Sequence, residues 1–195
     1  MKENMLTHND LFSLEQYARN RQEFRAKVMA HKDERRVALG ENANLYFEDA
    51  LTMQYQVQEM LRLERIFEPE KIQEELDSYN PLIPNGSNWK ATFMLEYPEE
   101  AERKVALGKL MGIDEAVWMQ VGELAKVRPI ANEDLERDTA EKTAAVHFMR
   151  FELTPEMVAA VKTGAAIHAG LDHANYQVTI EVPQAARASL ALDLA

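Results

Sequence analysis

The run Trp89-Lys90-Ala91-Thr92-Phe93-Met94-Leu95-Glu96-Tyr97-Pro98 decides the fold class. Trp89, Ala91, Phe93, Leu95 and Tyr97 alternate with Lys90, Thr92, Met94 and Glu96, and a period of two places the large apolar side chains on one face of a half-buried strand. Pro98 stops that strand and supplies the first turn of a helix. Glu99 and Glu100 then sit near the helix's positive end and Lys109 near its negative end, with Gly112 closing it. Downstream, the pattern predicts strands over 115–121, 124–130 and 145–153, with a charged surface loop over 132–142. Thr154-Pro155-Glu156 caps a helix that ends at Gly164. Residues 165–171 and 176–182 read as a last strand pair, followed by a short helix after Pro183.

Upstream the signals are mostly helical. Ser13-Leu14-Glu15-Gln16 has capping-box spacing and Asn20-Arg21-Gln22-Glu23 resembles it, so two helices are expected over 9–18 and 21–34, with Leu11, Leu14, Phe24 and Val28 inward. Residues 35–39 and 44–48, split by Gly40-Glu41-Asn42, read as a small hairpin. Residues 50–67 form the strongest helix, and Pro69 opens another that runs to Tyr79. Pro81, Pro84, Asn85 and Gly86 mark a loop. Helices thus come before and between strands without regular alternation. The expectation is an α+β fold in a single domain over 1–195: a helical part over 9–80, packed on a mostly antiparallel sheet within 86–195.

Composition narrows the function. Twenty-two basic and 33 acidic residues give a net charge of -11, which argues against a nucleic-acid-binding surface over the whole molecule. With no cysteine, disulfides, Cys-ligated zinc, iron–sulfur clusters and thiol catalysis are all excluded. The start, Met1 to Asp10, is polar, and nowhere do enough apolar residues run together to span a bilayer, so a cytoplasmic protein is expected. Neither phosphate-binding glycine motifs nor zinc-protease or nucleophile-elbow motifs occur.

The candidate chemistry lies in a few places. On the 50–67 helix, Met53, Val57, Met60, Leu61 and Phe67 share one arc at 100° per residue, and Glu64 falls inside it. A carboxylate there has to be paired, hydrogen-bonded or protonated, with Arg150, Arg35 and Arg36 as candidate partners in that order. Arg150 shares a face with Val146 and Phe148 and reads as leaning inward. Gln54, Gln58, Arg62 and Arg65 form a stripe on the opposite flank, beside Glu59, suited to a partner's carboxylates or to plain solvent exposure. Arg19, Arg21, Arg25, Lys27, Lys32, Arg35 and Arg36 make a basic island. His147, His168, Asp172 and His173 suggest a metal site across strands, against which stands the plainer reading of histidines scattered over strand surfaces.

Several of these stretches are familiar. Arg35-Arg36-Val37-Ala38-Leu39-Gly40, Tyr46-Phe47-Glu48, the run from Gln56 to Arg65, Glu75 to Pro84 with its Tyr79-Asn80 pair, Val146 to Phe151, Asp172-His173 and Tyr176 resemble the bacterial domain-of-unknown-function family 3501. The resemblance implies no catalytic residue and no cofactor. It marks Tyr79, Asn80 and His173 for attention and associates the chain with rubrerythrin-like non-haem iron proteins and iron–sulfur oxidoreductase subunits. The first functional expectation is therefore an accessory protein that binds an oxidoreductase partner in a redox or peroxide-stress setting. The second is a small enzyme using Glu64, Arg62 or Arg150 and His173 on a polar ligand; the third is a homo-oligomeric structural protein.

Overall fold

The computed structural model describes residues 5–133, 139 and 142–195. In chain order the strands are β1 (Arg36–Leu39), β2 (Ala43–Glu48), β3 (Asn88–Leu95), β4 (Val117–Val121), β5 (Ile130–Ala131), β6 (Val146–Glu152), β7 (Ile167–His173) and β8 (Tyr176–Glu181). The helices are α1 (Leu14–Glu34), α2 (Ala50–Glu64), α3 (Pro69–Tyr79), α4 (Glu100–Lys109), α5 (Ile113–Ala116), α6 (Pro155–Lys162) and α7 (Gln184–Ala191). Two antiparallel sheets result, one ordered β1-β2-β3-β6-β5 and the other β4-β7-β8. The fold is α+β, and the β1–β2 hairpin from the helical first third completes the larger sheet.

Alternation builds the core. On β3, Trp89, Ala91, Phe93 and Leu95 are buried while Lys90, Thr92 and Met94 are half-buried on the other face. Val37, Leu45, Phe47 and Phe151 of the large sheet join Val117, Met119, Ile167 and Leu171 of the small one in a single apolar cluster. On the small sheet's outer face, Trp118 packs against Gly170, its partner across the strand pair, where a Cβ would come within 2.4 Å of the indole and of the Val178 carbonyl; only glycine permits that approach. A second cluster, Met53, Val57, Leu61, Ile66, Leu76 and Ile83 with Leu6, sits among α2, α3 and the N-terminal segment.

Three expectations change. α1 runs unbroken from its Ser13 cap, so Asn20 caps nothing: Tyr17 and Val28 are both buried, and one continuous apolar face outweighs a weak internal stop. α2 ends at Glu64, three residues early, because Arg65 takes a left-handed conformation (φ 55°) and Ile66 folds back to donate to the Leu61 carbonyl. Of 124–130, only Val127 bridges β4, and Ile130 begins the two-residue β5. The 132–142 loop lies largely outside the described residues.

Two ion pairs knit the helices to this frame. Glu59 on α2 accepts from Arg21 Nε and Nη2 (2.7 and 2.9 Å), from the Tyr17 hydroxyl (2.7 Å) and from Arg62 (3.2 Å), clamping α2 to α1. Arg21 foremost, with Tyr17 and Arg62, holds its carboxyl at about 2 against an ordinary 4.5. Arg35, at the end of α1, is 1% exposed. Its Nε donates to the Phe47 carbonyl (3.0 Å), Nη1 to Ser189 Oγ (2.9 Å), and Nη2 to the Glu48 carbonyl (3.2 Å) and Asp193 Oδ2 (2.6 Å). Burial pushes the Asp193 carboxyl up to about 6 despite that contact.

Arg35→Met should lower the free energy of unfolding by about 3–5 kcal/mol, since it strands Asp193 and two buried carbonyls, and Arg35→Lys should recover little because an ammonium cannot span the four acceptors. Urea titration checks both, and a loss under 1 kcal/mol for Arg35→Met would contradict the assignment. For Glu59 the sign is opposite to that of a raised acid. Its folded value is depressed, so its contribution is full above about pH 4.5 and is lost as pH falls through 2. Glu59→Gln should therefore cost about 2 kcal/mol at pH 7, allowing for partial solvent screening, and progressively less towards pH 2. Unfolding midpoints measured across that range test it.

Candidate functional site

Alternation leaves the outer face of β3 and β6 half-exposed, and the chain end of α3 rises beside it. The Tyr79-Asn80-Pro81-Leu82 turn follows α3 directly, because Pro81 cannot continue a helix. Between the two lies a cleft of about 750 Å³. Ser78, Tyr79, Pro81, Leu82 and Asn85 form one wall; Asn88, Lys90, Phe148, Arg150 and Glu152, with Glu133, form the other.

Its charges follow from register. Lys90 and Arg150 are directly paired across β3 and β6, an arrangement of like charges that costs stability unless neutralised. Arg150 is neutralised. Its Nε and Nη2 grip Glu133 at 2.8 and 2.7 Å, and Nη1 donates to Glu152, which Asn88 Nδ2 also contacts at 2.8 Å. Arg150 foremost holds the Glu133 carboxyl below its ordinary value. At Glu152 burial pushes upward, but Arg150 and Asn88 prevail and the carboxyl is lowered. Lys90 is treated differently. Among the described residues no carboxylate lies within ion-pair distance of it, and its Nζ donates to the Pro81 carbonyl at 2.7 Å. Burial first, then Arg150, lowers its amine, against a weaker opposite pull from Glu133 and Glu152. Burial also raises the Tyr79 phenol, which keeps its proton.

The residues singled out from the sequence separate here. Tyr79 and Arg150 meet in the cleft, although Arg150 faces outward: the core-facing side chains of β6 are His147, Met149 and Phe151, the opposite phase to the one expected. Asn80 is buried and structural, accepting from the Leu6 N–H (2.8 Å) and donating to its carbonyl (3.0 Å). Glu64 is exposed and, among the described residues, pairs with no arginine; α2 stops there, so its last turn projects past the layer that would have buried it. Phe67, placed on the same arc, is 70% exposed for the same reason. The carboxylate of α2 that is part-buried and paired is Glu59, and the buried arginine is Arg35, which leaves the basic island one member short.

The stripe does not survive as a free surface. Gln58 is buried, accepting from the Phe12 N–H (2.5 Å) and donating to its carbonyl (3.3 Å); Gln54 donates to the Asp10 carbonyl (2.5 Å). Arg62 is held by Glu59, and Arg65 alone remains exposed. The N-terminal segment takes the place assigned to a partner.

Nor do the histidines converge. His147 is fully buried: Asn132 Nδ2 donates to its Nδ1 (3.0 Å), and its Nε2–H faces the Ala144 carbonyl (3.0 Å) and Thr143. His168 lies on the outer face of β7. Asp172 accepts from Lys126 and Arg128 (3.1 and 2.9 Å), and His173 Nε2 donates to the Met111 carbonyl (3.0 Å). Among the described residues no three potential ligands group together. Sequence reasoning missed Lys90, which reads as an ordinary polar-face residue; only its pairing with Arg150 sets it apart.

A search among curated proteins finds no match. Among solved structures, a novel protein of unknown function from Burkholderia pseudomallei K96243 superposes with a TM-score of 0.92 at 48% identity, over 98% of this chain and 100% of that one. The model of DUF3501, a protein family of unknown function, matches residues 5–194, and the chain belongs to that family.

Proposed function

We propose that this chain binds a small polar molecule bearing an anionic group, seated in the cleft with that group between Lys90 and Arg150. One observation carries the reading: a half-buried ammonium faces a concave, mixed polar and apolar cleft without a carboxylate of its own, beside an arginine whose two carboxylates are already in place. An unneutralised cation of this kind is costly in a purely structural role, and a ligand anion would offset the cost. Tyr79, Leu82 and Phe148 offer apolar contact to the remainder of the ligand. The accessory reading, with a rubrerythrin-like or iron–sulfur partner in a redox setting, draws its support from the family resemblance. The stripe that would have docked such a partner is largely engaged within the chain, leaving Arg65 of the stripe and Arg19, Arg25 and Lys27 of α1 as exposed cations.

Titration with glycolate and with inorganic phosphate, followed by amide NMR, tests the binding reading. Shifts should cluster on β3, β6 and the turn after Tyr79. They should disappear in Lys90→Met, whose apolar stem keeps the packing, and persist in Lys71→Met, a change on the exposed face of α3. Shifts that ignore Lys90→Met would overturn the proposal.

A further inference from the structure

Resting on the cleft as a ligand site, we propose that Lys90 Nζ is a nucleophile that forms an imine with the carbonyl carbon of a small oxo acid. The geometry supplies each requirement. A lysine is nucleophilic only as the free amine, and proteins favour that form by partial burial beside a second fixed cation. Lys90 has both, with Arg150 directly opposite it in the strand pair and no carboxylate within ion-pair distance among the described residues. Burial and Arg150 both favour the free amine.

Arg150 also suggests why the carbonyl compound should be an acid. A guanidinium carries five N–H donors, and the contacts to Glu133 and Glu152 use three. Two remain for a ligand carboxylate, while Glu133 and Glu152 keep the guanidinium in place. An oxo acid would then set its carboxylate towards Arg150 and its carbonyl carbon towards Lys90.

The step balances without an oxidant or a metal. The amine lone pair adds to the carbonyl carbon, and the proton shed by nitrogen gives the carbinolamine hydroxyl. A second nitrogen proton joins that hydroxyl, which leaves as water, and the C=N bond remains.

The test uses glyoxylate with sodium cyanoborohydride on the intact chain, with peptide mapping of carboxymethylated lysines over time. Lys90 should be modified at least about tenfold faster than exposed Lys71, and its rate should fall less steeply than that of Lys71 as the pH is lowered from about 9 to 7. Glycolate, which has the acid but no carbonyl, should slow labelling at Lys90 and leave Lys71 unaffected. If Lys90 reacts no faster than Lys71 while glycolate still shifts the cleft amides, the imine is refuted and the binding site stands. If glycolate leaves the cleft unperturbed and Lys90 is unreactive, both fall.

Discussion

The fold depends on one buried guanidinium. Arg35 stands where α1, the end of β2 and the C-terminal helix α7 meet, and it satisfies a main-chain carbonyl at Phe47, another at Glu48, the Ser189 hydroxyl and the Asp193 carboxylate at once. Asp49, the N-cap of α2, lies 3.6 Å away and is also bound by His31. These groups could not be left dry without partners, because each unsatisfied one costs about 1–3 kcal/mol. Trp89 reinforces the same joint by donating from its indole to the Leu190 carbonyl (3.0 Å). The chain's last residues are thereby fixed against its first strands, and Ala195 reaches the Gly86 carbonyl beside β3.

That joint positions the cleft. With β3 held on its inner face by Trp89 and at its start by the C-terminus, the outer face presents Asn88 and Lys90 at set heights, and β6 presents Arg150 and Glu152 opposite them. The second cluster, under α2 and α3, places the Tyr79 turn above this row, and Asn80 locks the turn to the Leu6 backbone. The site therefore lies between two separately packed apolar clusters, where surface concavity is to be expected. Its charges are uneven by design of the register: Arg150 is sandwiched between two carboxylates, while its neighbour Lys90 has a carbonyl.

The sequence showed much of this scaffold. The alternation in 89–97, the Ser13 box, Pro69 and the Thr154-Pro155 start each encode a local preference strong enough to survive in the folded chain, and each appears within a few residues of its expected place. Helical periodicity also correctly buried Met53, Val57 and Leu61. It misplaced Glu64, because an arc on a helical wheel has no length: burial also requires something to pack against at that height, and α2 ends there.

Local pattern determined most of the helix and strand segments and the family to which the chain belongs, since both are written in neighbouring residues. Which carboxylate meets which arginine was decided only by tertiary structure. Arg35 and Asp193 are 158 positions apart, and Lys90 and Arg150 are paired through a strand register that no local spacing specifies. The phase of β6 was open for the same reason. Val146, Phe148 and Arg150 form one alternating set and His147, Met149 and Phe151 the other, both with apolar members, and only packing against Phe93 and the second sheet selects the face that is buried.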